Sequence, residues 1–420
     1  MDVATLRQDF PLLARADAPI YLDNACMTLK PRQVIDAVRR YYEETPYCAG
    51  RAVYEGSLAV EETMEGARRA LASLLGAPAD ATVWTKNATE AINLVAHAFP
   101  WKRGDVVLTS DREHNSNLVP WQVLAARGVR HEVVPSRADG TFDLDAWQSR
   151  LARGDVGDLG ADRTRAAGRG PVALVAAVHV SNLDGYEAPA RELIELAHER
   201  AVPVLLDGAQ AAPHMPVDLA RLGADYYAVS LHKMLGPTGV GALLSTPDAL
   251  ARLGPFMSGG DTVARTTYES AEFLDAPARF EAGLQNYAGF AGATPAIEYL
   301  RRVGLENVRR HEKKLAERVA KRLEGTAGLH LIGAPLATRS GVVPLALDRV
   351  DPHALAILLE DKHRILVRSG DHCLHSWFNA RGVPGALRAS FYLYNTVEEA
   401  DAFAEAVEGL LAQLATGDRR

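Results

Sequence analysis

Between about residues 80 and 245, short β-branched runs alternate with stretches of helical period, a pattern that few folds accept. The runs ATVWT (81–85), DVVLTS (105–110), RHEVVP (130–135), VALVAAVH (172–179), VPVLLD (202–207), YYAVS (226–230) and GALLS (241–245) read as strands. ATEAINLVAHAF and APARELIELAHER, which lie between some of them, space their apolar residues as helices do. Strands that are apolar along their length must be buried on both faces, so helices cover both sides of a mainly parallel, seven-stranded sheet. Ligands of such α/β sheets gather beyond the carboxyl ends of the strands. The polar residues that follow each run are therefore the candidates for chemistry.

Beyond about residue 290 the pattern changes. TPAIEYLRRVGLENVRRHEKKLAERVAKRLEG reads as a long helical region, partly broken at Gly304. GVVPLAL (341–347) and ILVRSG (365–370) read as strands, and TVEEADAFAEAVEGLLAQLA as an amphipathic helix. We expect a large ligand-binding domain over 21–295 and a smaller α+β domain over 1–20 and 296–420. The stretch at 152–171, rich in Gly, Arg and Asp, has no apolar period and reads as an inserted surface loop.

Composition narrows the function classes. At 48% hydrophobic and 24% charged residues, the 420-residue chain has ample material for cores. A net charge of −7 argues against a nucleic-acid footprint, which needs clustered Lys and Arg. The start, MDVATLRQDFPLLAR, lacks the layout of a signal peptide, and no apolar run reaches the roughly 18–20 residues of a membrane span. Cys26, Cys48 and Cys373 form no CxxC, so neither a disulfide framework nor a metal site is expected. The expectation is a cytoplasmic protein with reduced thiols.

Five segments at strand ends carry chemistry. Asp207 closes VPVLLD, where a lone Asp commonly caps a turn. Lys233 follows YYAVS with Ser230 and His232 beside it, although a lone lysine is ordinarily a solvated charge. TKNATEAINLVAH opens a helix at Thr89, either a plain N-cap by Asn87 or a cradle for phosphate. His114 lies in DREHNSNLVPW, and in VHVSNLDG a strand ends with Ser181 and Asn182. Together they supply a lysine, an acid, an imidazole, an amide and a helix start. That inventory fits pyridoxal phosphate, whose aldehyde needs a lysine, whose ring nitrogen needs a carboxylate, and whose phosphate needs N–H and O–H donors.

The motifs DFPLL, YLDNA, TEAINLV, EHNSNLVPW, HVSN, DGAQ, SLHKMLGPTGVG, RFEAG, VRSGDHC and RASFYLYNT follow in that order over nearly the whole chain. In this the chain resembles the class V aminotransferase fold (fold type I), and within it the group II cysteine desulfurases and selenocysteine-lyase-like enzymes. The resemblance implies that Lys233 holds pyridoxal phosphate covalently, Asp207 pairs with its ring nitrogen, and His114 stacks on its ring. It assigns Gln210 and Asn182 to the phenolic oxygen, and Ala88 (through N–H), Thr89, Ser230 and His232 to the phosphate. Arg388, with Asn182, would bind the substrate carboxylate, for which a planar guanidinium is suited. Cys373 would be the nucleophile that takes sulfur from L-cysteine and passes it, as a persulfide, to an acceptor. The family is homodimeric.

Several positions depart from that pattern. Asp371 stands where relatives often have a second histidine, and its charge would disfavour a thiolate at Cys373. His372 or His375 would favour the thiolate if protonated. Leu284 replaces a threonine that in many relatives reaches the partner's phosphate, leaving a neighbouring amide, Gln285 or Asn286, as a substitute. Cys26 and Cys48 are not usual family cysteines; each is either a buried small side chain or a relay for sulfur or a metal. Two further functions compete with desulfuration: a C–S or selenocysteine lyase acting by elimination, and a sulfur-trafficking protein that has lost activity.

Overall fold

The computed structural model describes residues 1–50, 52–152 and 170–417. Of the stretch at 152–171, residues 153–169 lie outside the described residues. The runs read as strands form one seven-stranded sheet: β1 (Thr82–Thr85), β2 (Val106–Ser110), β3 (Arg130–Val134), β4 (Val172–Val178), β5 (Val204–Asp207), β6 (Tyr226–Ser230) and β7 (Gly241–Ser245). The order across the sheet is β1-β7-β6-β5-β4-β2-β3. β6, β5, β4, β2 and β3 are parallel, whereas β7 runs against both its neighbours. The connection from β6 to β7 is too short for a crossover, so the chain must turn back.

Alternation along each strand explains the continuous apolar runs. Val106, Leu108, Val175, Ala177, Val204, Leu206, Tyr227 and Val229 enter the core on one face of the sheet. Val107, Leu174, Ala176, Leu205, Tyr226 and Ala228 enter the core on the other. Water is met chiefly at the edge strand β3, where Val133 is exposed.

A second, antiparallel sheet contains β8 (Leu329–Leu331), β9 (Val342–Leu347), β10 (Arg368–Gly370) and β11 (Ala386–Ser390), in the order β8-β9-β11-β10. Helices Leu305–Leu323, Pro352–His363 and Val397–Gly417 contribute to the core beside it. Two details differ from the sequence reading. The long helical region breaks completely at Gly304 (φ 82°), giving Tyr287–Val303 and Leu305–Leu323. The run 365–370 divides into Ile365–Leu366, which pairs with Ile20–Tyr21, and β10, which pairs with β11. The first residues also touch several elements: Phe10 packs on Tyr299 and Tyr394, and Arg7 binds the Tyr394 carbonyl and Glu399.

Candidate active site

The carboxyl ends of β1, β2, β4, β5 and β6 open on one cavity of about 210 Å³. Ala88, Thr89, His114, Asn182, Asp207, Gln210, Ser230, His232, Lys233, Cys373 and Arg388 all line it. Asp207 is the last residue of β5, and Lys233 closes the short turn Leu231–Lys233 that follows β6. Gly241, which opens β7, permits a close approach there: a Cβ on it would lie 2.4 Å from the Asn87 Cα. The helix start that follows Asn87 is thereby held against the sheet.

Burial sets the charges. It raises the Asp207 carboxyl above its usual range, opposed by a hydrogen bond from Ala209 N–H and by attraction to Lys233. It lowers the Lys233 amine, with Asp207 acting in the opposite direction. His114 is pushed down to about 3 by burial and by the nearby cations Lys233, Arg388 and Arg368, so its ring is neutral. Its Nδ1 accepts from the Ser116 N–H at 3.1 Å, which places the proton on Nε2. His232, pushed down to about 4 by burial and by Lys233 and Lys30, is also neutral. Its carbonyl is tied to Thr28 and to Lys30 Nζ.

At the helix Ala88–Ala98, Asn87 is the N-cap through a bond from Glu90 N–H at 3.0 Å. The Ala88 N–H donates to Ser230 Oγ at 2.8 Å. Through that bond the donor offered to the cavity is the Ser230 hydroxyl proton rather than the Ala88 N–H itself. Thr89 Oγ1 and Ser116 Oγ lie 2.7 Å apart and join this cluster to His114.

A second wall comes from the antiparallel sheet. Arg368 on β10 and Arg388 on β11 are direct register partners, an arrangement that repels unless an anion intervenes. Asp23 supplies it, with Oδ1 at 3.5 Å from Arg388 and Oδ2 at 3.7 Å from Arg368. Arg388 is 2% exposed and also donates to the Asn182 carbonyl at 2.8 Å. Cys373 follows β10 in a tight loop, where His372 (φ 48°) and Cys373 (φ 61°) both adopt the left-handed conformation unfavourable to residues with a Cβ. Three hydrogen bonds hold the loop: Asn182 Nδ2 to the His372 carbonyl, Asn115 N–H to the Cys373 carbonyl, and Leu374 N–H to the Asp371 carbonyl.

The departures now have surroundings. His372 is buried and pushed down to about 2 by burial and by Arg388 and Arg368, so it is not the cation that supports a thiolate. His375 Nε2 lies 3.7 Å from Asp371 Oδ2, and its Nδ1 meets Asn115 Nδ2 at 2.8 Å. Leu284 is exposed, while Gln285 binds the Ala282 and Gly283 carbonyls and Asn286 caps the helix that follows. Within this chain both amides are committed locally. Cys26 lines the cavity, and Cys48 is not among the residues that do. The sequence reading missed Ser116, Arg368 and Asp23. All three lay inside quoted motifs, but only strand register shows that Arg368 faces Arg388.

Pyridoxal phosphate fits these residues. The cavity offers a buried carboxylate, a buried amine, a neutral imidazole and a hydroxyl cluster at a helix start. Buried polar atoms lining it, Asn182 Oδ1, Gln210 Oε1 and Arg388 Nε, have no hydrogen-bond partner among the described residues. Gln210 Nε2 donates to the Ala25 carbonyl at 2.6 Å, which anchors the amide at the cavity wall. Among the described residues no group of three or more His, Cys, Asp or Glu is placed to hold a metal, and no helix is long and apolar enough to cross a membrane.

The fold and cavity define a pyridoxal-phosphate-dependent protein of fold type I. The chain belongs to the class V aminotransferase family, whose model matches residues 20–403. A probable cysteine desulfurase of Halobacterium salinarum is 38% identical over 417 residues, covering 97% of this chain and 96% of that protein. The structure of apo cysteine desulfurase from Thermococcus onnurineus NA1 matches with a TM-score of 0.89 at 33% identity, covering 98% of each chain. The cysteine desulfurase CsdA of Escherichia coli matches with a TM-score of 0.87 at 30% identity, covering 98% of this chain and 99% of that one.

Proposed function

We propose that the chain is a cysteine desulfurase that converts L-cysteine to L-alanine and retains the sulfur as a persulfide on Cys373. The observation that carries this reading is that Cys373 lines the same cavity as Lys233, Asp207 and Arg388. Its full-length relatives named as cysteine desulfurases support the reaction.

Pyridoxal phosphate, when bound, draws electrons from the substrate Cα and so weakens the Cβ–sulfur bond. Asp207 would pair with its ring nitrogen, the neutral His114 ring would lie against it, and Thr89, Ser230 and His232 would hold its phosphate. Arg388 grips the substrate carboxylate, with Asn182 beside it. Lys233 Nζ, which burial favours in the uncharged form, takes and returns the proton at Cα. Cys373 attacks the substrate sulfur as a thiolate. A sulfur–sulfur bond forms, the carbon–sulfur bond breaks, and the electron pair stays with carbon, which is protonated and leaves as alanine.

We also propose the division into a domain over 21–295 and one over 1–20 and 296–420, with the cavity between them. A homodimer is supported by exposed Tyr42, Val53, Tyr54, Leu58 and Leu284, and a cytoplasmic location by three free cysteines. The acceptor of the persulfide sulfur is a second protein or small thiol.

The test is incubation with L-cysteine, measuring alanine, pyruvate and protein-bound sulfane sulfur in wild type and Cys373→Ser. Wild type should release alanine and carry sulfur, and the variant should lose both by at least an order of magnitude. Pyruvate in place of alanine, with the variant fully active, would replace this reading by elimination.

A further inference from the structure

Cys373 is not the only thiol in the cavity. Cys26 also lines it, in the turn that follows Asp23, where the Cys26 N–H binds the Asp23 carbonyl. Arg368 Nη1 donates to the Cys26 sulfur at 3.0 Å. That guanidinium also lies 3.7 Å from Asp23 Oδ2, so the turn, the arginine and the thiol are tied together. Around them the wall is built for a small polar ligand, because Asn182 and Arg388 are more than nine-tenths buried and carry unpartnered Oδ1 and Nε atoms. Two thiols therefore line one cavity, one on each of two separate turns.

We propose that Cys26 is a second sulfur acceptor, which takes the outer sulfur of the Cys373 persulfide before it leaves the enzyme. The inference rests on the desulfurase reading above. In the transfer, the Cys26 thiolate attacks the outer sulfur. A new S–S bond forms on Cys26, the old S–S bond breaks, and its electron pair returns to Cys373 as a thiolate. The exchange is redox-neutral and needs no further reagent. Arg368 offsets the negative charge on Cys26 before attack, and again when a later acceptor removes the sulfur. The persulfide also extends the reach of Cys373 by one S–S bond, about 2 Å. Main-chain bonds to Asn115 and to Asp23 meanwhile hold the two thiols on their own turns. The consequence is a vacated Cys373, able to accept from a second substrate while the first sulfur waits on Cys26.

The experiment loads the holoenzyme with L-cysteine in the absence of reductant and maps persulfides by alkylation, digestion and mass spectrometry. Wild type, Cys26→Ser and Cys373→Ser are compared. Wild type is expected to carry sulfur on both peptides, and Cys26→Ser on the Cys373 peptide alone, with retained sulfur approaching half the wild-type amount. Cys373→Ser should leave Cys26 unlabelled, because its sulfur arrives through Cys373. Sulfur confined to Cys373 in wild type overturns the relay and leaves desulfuration standing. Label on Cys26 in Cys373→Ser also overturns it, since Cys26 would then be a direct acceptor. Absence of sulfur from Cys373 in wild type overturns both the relay and the desulfurase reading.

Discussion

Asn182 donates from its side-chain Nδ2 to the main-chain carbonyl of His372 at 2.8 Å, so the turn after β4 holds the residue before the nucleophile. The same Asn182 receives Arg388 Nη1 on its main-chain carbonyl, also at 2.8 Å. One residue thereby fixes both the Cys373 loop and the arginine proposed to hold substrate.

Asn182→Ala removes the side-chain bond and leaves a buried carbonyl unpaired beside two left-handed residues, a loss of about 1–3 kcal/mol. The expected outcome is slower persulfide formation by roughly tenfold to hundredfold, at about 1.4 kcal/mol per factor of ten. The main-chain bond to Arg388 survives, so KM for L-cysteine should change far less than kcat. Single-turnover persulfide formation, with hydrogen exchange of residues 370–374, measures both parts. A rise in KM with kcat intact would assign Asn182 to substrate binding alone.

Arg388→Lys should give the opposite division. The guanidinium reaches Asp23 and the Asn182 carbonyl through different nitrogens, and a single ammonium cannot keep that fork. KM for L-cysteine is expected to rise by roughly 10²-fold, equivalent to about 2–3 kcal/mol of charge-assisted bonding. Steady-state kinetics of the variant would check this, and an unchanged KM would place the substrate carboxylate elsewhere.

The large sheet was legible because its strands are buried on both faces, so every residue of β5 and β6 had to suit the interior. Lys233 and Asp207 were legible for the complementary reason that polar residues at the ends of such strands stand out. Cross-strand partners were not legible: nothing near Arg368 in sequence shows that it opposes Arg388, or that Asp23, hundreds of residues away, sits within ion-pair distance of both. The division of 365–370 between two sheets was hidden for the same reason, since pairing with Ile20–Tyr21 is a long-range choice. The motif RFEAG matched as text, but its physical content appeared only in the structure.

That content is a buried ion pair. Glu281, in RFEAG, accepts from Arg68 Nη2 at 2.9 Å and from the Trp84 N–H at 2.6 Å, and Arg68 Nη1 also binds the Thr82 carbonyl. The pair ties the loop bearing Leu284 to β1. Glu281→Ala leaves the buried Arg68 with Glu65 as its remaining carboxylate partner and the Trp84 N–H unpaired, and is expected to destabilise by about 1–3 kcal/mol. Thermal unfolding would check it. A change within about 0.5 kcal/mol, typical of surface sites, would refute the assignment.

The last prediction concerns pH. His214 Nδ1 lies 2.9 Å from a carboxyl oxygen of Glu312, the pair is fully buried, and the Tyr392 ring packs on His214. Burial pushes His214 down to about 3 and raises Glu312 well above its ordinary value of 4.5, so the folded pair holds one proton, on the carboxyl. The unfolded pair holds two protons below 4.5, one between 4.5 and the ordinary His value of 6.5, and none above it. Stability follows the difference in protons bound, unfolded minus folded. The contribution of the pair therefore rises with pH up to about 4.5, stays level to about 6.5, and falls above that by roughly 1.4 kcal/mol per pH unit until Glu312 ionises. Glu312→Gln keeps a neutral donor to His214 and abolishes the alkaline fall, while the acid limb set by His214 remains. For the variant the pair's contribution should thus be equal at pH 7 and 8.5 and lower at pH 5.5, whereas in wild type it falls between pH 7 and 8.5, which unfolding temperatures at the three values would read. Profiles that coincide above pH 4.5 would show instead that the folded pair holds no proton there, with Glu312 ionised and His214 neutral.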